Sequence, residues 1–304
     1  MATTLLRRGA ATALAALAIA LVMLAGQALA ADALPDLDQE VPAQLDVRVG
    51  GTAAQPSYRL GFGSGVRNVG AGPLLIEGRR VAGSGGRMVA RQLVEQDGGG
   101  APRALDGVGS LRYVRSVDHQ HWHLLGFDRY ELRAVGGGRV VRDRKSGFCL
   151  GDRYRVTTRA VAGAPAAPVH TGRCGLRMPG LTRVTEGISV GYGDFYAAHL
   201  EYQDLPIDGL ADGRYLLVHR VNAGRELRES DYGNDAASVL LELAHGRDGV
   251  PVVKVLASCP DSARCAAPGA GGPAAAAVPL VRAARRGPAS LLCSLSAVAG
   301  GWRP

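Results

Sequence analysis

The chain reads as a mostly β protein: a β-sandwich-like core with long loops and few helices. Three observations predict this. Apolar and polar residues alternate over short runs, as half-buried strands require. Glycine turns such as Gly72-Pro73, Gly98-Gly99-Gly100 and Gly136-Gly137-Gly138 separate the runs. Beyond residue 30, no stretch keeps a long 3.6-residue apolar period, so amphipathic helices are not expected.

The first thirty residues stand apart from this pattern. Arg7 and Arg8 form a basic start, an apolar run covers about residues 10–26, and Ala28-Leu29-Ala30 offers small residues for cleavage. Residues 1–30 therefore read as a secretory signal peptide cut after Ala30. The run is nearly long enough to anchor in a bilayer, but the small-residue exit favours cleavage, and no later stretch is long and apolar enough to span one. Residues 31–57, with Pro35, Pro42 and Pro56, read as an extended lead-in. Residues 58–258 carry the strand pattern and form the expected main domain. Residues 130–135 alternate cleanly and 215–221 less so; 238–243 and 252–255 read as two late strands. Residues 259–304 are rich in Ala, Gly and Pro without strand periodicity, the composition of a disordered tail.

Export predicts a secreted or periplasmic protein in an oxidising compartment. The five cysteines, Cys149, Cys174, Cys259, Cys265 and Cys293, agree with that. Four can form two bridges and one is left over; Cys149 with Cys174 and Cys259 with Cys265 is the favoured pairing, although sequence leaves connectivity open. Formal charge is +8, but the signal peptide carries two arginines and the tail five against one aspartate. The middle of the chain is nearly neutral, which with few aromatics argues against a nucleic-acid partner.

The most informative stretch is His119-Gln120-His121-Trp122-His123, which holds three of the seven histidines. On a β-strand, spacing of two puts all three imidazoles on one face. Neutral imidazole is the commonest protein ligand for a transition metal, and such a cluster suits copper or zinc. Lysine usage is the second unusual feature. Lys145 and Lys254 are the two lysines of a chain with thirty-three arginines. Lysine can lose its proton and act as a nucleophile, which arginine cannot.

Several ordered pieces resemble the lysyl oxidase family of copper amine oxidases. Residues 62–70 (Phe-Gly-Ser-Gly-Val-Arg-Asn-Val-Gly) are similar to a family strand. The His-x-His-x-His segment follows, then Tyr130-Glu131-Leu132. Lys145-Ser146-Gly147-Phe148-Cys149-Leu150 resembles the lysine-containing cofactor segment. Asp194-Phe195-Tyr196, with Gln203 seven residues on, resembles the tyrosine-containing one, and Glu229-Ser230-Asp231-Tyr232-Gly233-Asn234 resembles the late signature. The resemblance covers about residues 58–243. It implies copper held by His119, His121 and His123, and a lysine tyrosylquinone cofactor built from Lys145 and Tyr196. Tyr192 is the competing precursor, but Tyr196 keeps Asp194 and Gln203 in register. Three positions depart from the family: Asp118 stands where animal members have Cys, Ala197 where Gly is usual, and Asp204 where Trp follows Gln.

The activity so implied is oxidative deamination of primary amines, peptidyl lysine or small amines, by molecular oxygen, giving an aldehyde, ammonia and hydrogen peroxide. Asp128 and Asp194 are candidate bases by nearness in sequence, though turn or surface carboxylates are the simpler reading. His170 and His199 read as loop histidines, and 229–234 as a turn without chemistry. Two alternatives stay open: a secreted non-catalytic copper-binding protein, and a zinc hydrolase, for which no glutamate motif is evident.

Overall fold

The computed structural model describes residues 31–117, 119–136 and 139–266. The expected signal peptide, Asp118, Cys293 and all of the expected tail beyond 266 lie outside them. Among the described residues there are sixteen strands and no helix, and every strand pairing is antiparallel.

The larger sheet runs β11 (Arg183–Ile188), β5 (Leu74–Arg79), β6 (Met88–Gln96), β7 (Arg103–Tyr113), β8 (Trp122–Ala134), β14 (Gly213–Val221), β15 (Ala236–His245) and β16 (Pro251–Cys259). β1 (Asp32–Ala33) adds to β6, and β9 (Val140–Phe148) folds against β8. The smaller sheet is built around β4 (Pro56–Asn68), which pairs with β2 (Leu37–Gln39), β3 (Ala43–Gly51), β12 (Tyr192–Tyr196) and β13 (Asp204–Pro206); β10 (Tyr154–Arg155) lies outside β12. The two sheets pack as a sandwich. Phe62 of β4 meets Tyr130 of β8 and His219 of β14, each at a ring separation of 4.7 Å. Trp122, Phe127 and Phe148 are fully buried in the same core. Burying one such side chain contributes on the order of 1.5–3 kcal/mol.

β16 shows why the strands were readable. Val253, Val255 and Ala257 are buried while Lys254 and Ser258 face solvent, the alternation of a one-sided sheet. The expected extended lead-in, residues 31–57, contributes strands to both sheets. β1 to β3 pair with β6 and β4, and Leu37 and Val47 enter the core. The prolines that masked these strands fall at their boundaries: Pro35 precedes β2, Pro42 precedes β3 and Pro56 opens β4. At the other end β16 runs to Cys259, which is bridged to Cys265.

The long connection from 156 to 182 has no strand. Two devices hold it. Cys149 is bridged to Cys174, and the Asp152 carboxylate accepts hydrogen bonds from Val169 N (2.7 Å), His170 N (2.9 Å), Ser189 N (2.8 Å) and Ser189 Oγ (2.7 Å). Burial alone would raise this carboxyl, but the donated bonds hold it below its usual range. The bridge closes a sequence separation of 25, so replacing both cysteines by serine is expected to cost about 3 kcal/mol. Chemical denaturation of the full chain checks this; an unchanged midpoint would mean that Asp152 suffices to hold the connection.

Candidate metal and cofactor site

The histidine segment does not lie along one strand. Only His123 belongs to β8; His119 and His121 lie in the turn that leads into it. The turn is closed by Ser116, whose Oγ accepts from His119 N (3.1 Å) while Ser116 N donates to His119 O (3.0 Å). Val114 N donates to His121 O at 2.9 Å. Trp122, alternating with His123, is fully buried and donates from Nε1 to Met178 O (3.2 Å) and from its amide to Cys174 O (2.9 Å). With Trp122 anchored, the curled turn still converges the three imidazoles. Ring centroids are 5.5 Å apart for His119 and His121, 5.0 Å for His119 and His123, and 4.8 Å for His121 and His123.

One ring nitrogen from each histidine lies within 4.8 Å of the others, and His121 Nε2 sits 2.8 Å from His123 Nε2. Burial lowers His121 to about 4 and carries His123 well below its usual value; the neighbouring histidines add to both shifts. Near pH 7 these rings are neutral, with lone pairs to offer a metal. Glu201 Oε2 lies 3.8 Å from His119 Nδ1.

Tyr196, at the end of β12, packs against this cluster. Its ring is stacked on His119 at 5.9 Å and 8°, and meets His123 edge-on at 6.1 Å. Phe148 covers it at 4.0 Å. Cys149 N donates to the Tyr196 hydroxyl at 2.8 Å, and Gly151 N donates to Asp194 Oδ2 at 3.0 Å. The segment that follows Lys145 is thus hydrogen-bonded to the face of β12 that carries Asp194 and Tyr196. Burial first, then the Asp194 carboxylate, raises the Tyr196 phenol well above its usual value. The competing Tyr192 points elsewhere: its hydroxyl meets Arg155 Nη1 at 3.1 Å and Pro165 O at 3.3 Å.

Lys145 is exposed on β9 and borders a cavity of about 630 Å³ whose wall includes His123. Gly147 brings the two strands together there, because a Cβ on it would lie 2.9 Å from Leu124 O and 3.1 Å from His123 Cβ. The structure therefore brings the histidines and Tyr196 together and sets Lys145 at the mouth of the adjoining cavity. Lys254 lies on β16, opposite Glu242 of β15.

Asp128 and Asp194 are not surface carboxylates: both are buried, at 0% and 1% exposure. Burial raises each to about 7. Asp194 is opposed by Arg153, whose Nε lies 3.9 Å away. Asp128 belongs to a core network, accepting from Ser64 Oγ at 2.7 Å, which in turn meets His219 Nδ1 at 3.1 Å. Unfolded, Asp128 titrates near 3.8. Between that value and about 7 the folded state holds a proton that the unfolded state has released, so this group's contribution to stability falls as pH rises through the window and levels off above it. Asp128→Asn is expected to remove that slope, a difference on the order of a few kcal/mol by pH 7. Denaturant midpoints of both proteins at pH 4 and pH 7 measure it; parallel curves would show that Asp128 stays ionised in the core.

His199 is exposed, and the His170 amide serves Asp152. The 229–234 segment is structural: Glu229 accepts from Leu37 N (2.8 Å) and from Asn222 Nδ2 (2.5 Å). The sequence reading missed Glu186. It is 3% exposed in β11, one carboxylate oxygen lies within 4.8 Å of the Cys149 and Cys174 sulfurs, and burial pushes it well above its usual value. Its charge is felt by Tyr196. Both sulfurs are in the bridge, so this trio is not a metal site. No motif surrounds Glu186; its position arises from the pairing of β11 with β5 and the bridged loop.

Residues 111–250 match the lysyl oxidase family model. The chain is 34% identical over 119 residues to protein-lysine 6-oxidase of Rattus norvegicus, which covers 38% of this chain and 25% of that protein. It is 29% identical over 130 residues to lysyl oxidase homolog 3A of Danio rerio, covering 42% of this chain and 16% of the relative. Lysyl oxidase homolog 1 of Homo sapiens matches at 30% over 119 residues, 38% of this chain and 18% of its own. The chain thus spans a quarter or less of the length of these relatives.

Proposed function

Because the chain belongs to the lysyl oxidase family, matched over residues 111–250, we propose that it is a copper- and quinone-dependent amine oxidase. It deaminates primary amines, peptidyl lysine or small amines, to aldehydes, consuming oxygen and releasing ammonia and hydrogen peroxide. The observation that carries this reading is the convergence of three imidazoles beside a buried tyrosine whose hydroxyl is held by the backbone four residues after Lys145. The donor set fits copper: three imidazole nitrogens within reach of one another.

A copper ion on His119, His121 and His123, with a lysine tyrosylquinone from Lys145 and Tyr196, would supply the electron sink and the oxygen chemistry that ordinary side chains lack. The chain's own residues do the rest. Phe148 and the two flanking histidines shield the Tyr196 ring from water, and the Cys149 amide fixes its hydroxyl. Lys145 supplies an amine that can become neutral, which arginine cannot. Asp194, with a value of about 7, can take and return a proton near neutrality. The two disulfides accord with the proposed extracytoplasmic location.

A panel of primary amines tests the proposal. Copper-loaded full-length protein is expected to stain for a quinone and to release peroxide and ammonia in equal amounts. Bound zinc with no quinone stain and no peroxide would replace the oxidase with a zinc protein.

A further inference from the structure

The cavity beside His123 is strongly cationic. Arg87, Arg112, Arg129, Arg144 and Lys145 line it, and Glu226 is the one carboxylate among the described lining residues. Two of these cations are already partnered: Arg129 holds Asp143 at 2.7 Å, and Arg144 approaches Asp204 at 3.6 Å. Arg87 and Arg112 have no ion-pair partner among the described residues. Arg112 sits directly opposite His123 in the pairing of β7 with β8, so the two side chains share a face of the sheet. Loss of the Lys145 charge into a cross-link would still leave two unpartnered guanidinium groups against Glu226. An alkylammonium ion or a diamine entering here meets like charge. A carboxylate or phosphate meets planar donor forks matched to its oxygens.

We propose that Arg112 and Arg87 bind an anionic group on the substrate, so that the amine oxidised here carries a carboxylate or phosphate some atoms away from its nitrogen. The amine half of this statement rests on the oxidase reading; the anion site does not. A cavity of about 630 Å³ accommodates a small ω-amino acid or a short acidic stretch around a peptidyl lysine.

Two measurements test it on the full chain. In the first, ε-aminocaproate is compared with pentylamine, which lacks only the carboxylate. The ratio of kcat/KM is expected to favour ε-aminocaproate by roughly tenfold to a hundredfold, the range of a charge-assisted hydrogen bond. The preference should shrink at high salt and fall through KM in the Arg87→Gln/Arg112→Gln variant, with Arg112→Lys restoring part of it. An acetylated Glu-Lys-Glu amide against its Gly-Lys-Gly counterpart separates a peptide from a small-molecule source. In the second, calorimetry follows glutarate or inorganic phosphate binding, which needs no mature cofactor and separates carboxylate from phosphate. Binding is expected to be lost in the double variant. Glutarate and phosphate binding the variant as tightly as the wild type, or pentylamine turned over as well as ε-aminocaproate, would overturn the proposal. Arginine-dependent glutarate binding without any amine oxidation would leave the anion site standing and remove the oxidase reading alone.

Discussion

Lys145→Arg is expected to keep the fold and copper while losing the quinone's visible absorbance and all peroxide production. Lys145 is exposed on β9, so a longer cationic side chain is accommodated there without repacking. Arginine keeps its charge at every working pH and has no amine to add to an oxidised ring. Tyr196→Phe should give the same chemical silence. It also strips the Cys149 amide of its acceptor, a loss of about 1 kcal/mol. Tyr192→Phe should retain the cofactor, because the Tyr192 hydroxyl faces Arg155 and Pro165. Lys254→Arg, on β16, should change neither absorbance nor turnover. Peptide mass mapping of mature protein should recover the Lys145 and Tyr196 peptides covalently joined. Recovery of both peptides separate and unmodified from copper-loaded protein would reject the oxidase and favour a copper-binding role.

Replacing His119, His121 and His123 together by alanine is expected to take copper from one ion per chain to none. The three rings supply the clustered nitrogens, and burial leaves His121 and His123 neutral without help from pH. His119 and His123 are 2% and 3% exposed, so their truncation leaves small cavities and a modest loss of stability, on the order of 1–2 kcal/mol. Metal content should therefore be measured on protein shown to be folded by its near-ultraviolet signal. One tightly held copper per chain in the triple variant would mean that the ligands lie elsewhere.

The outer strands of the fold were legible because solvent on one face enforces alternation, as Val253, Lys254 and Val255 show. The first strands were not. β1 and β2 have two and three residues, too few for a period to register, and Pro35 lies between them. The histidines were legible by spacing and Lys145 by scarcity. Their geometry was not, since a repeat of two fits a strand and a curled turn equally well. Here β8 starts at Trp122, so only one of the three histidines is a strand residue. Glu186 and Arg112 carry no motif at all. Strand register brings Arg112 opposite His123, and register between distant segments is a tertiary fact. The burial of Asp128 and Asp194 was hidden for the same reason: an aspartate beside glycine or aromatic residues reads as a turn until both sheets close over it.

The Cys149–Cys174 bridge joins the two halves of the candidate site. One of its residues gives the amide that holds the Tyr196 hydroxyl, and the other gives the carbonyl that anchors Trp122 between two of the histidines. The tyrosine and the histidine turn are thus tied through their backbone partners to one covalent link, which couples the two halves of the site more directly than the strand pairings around them.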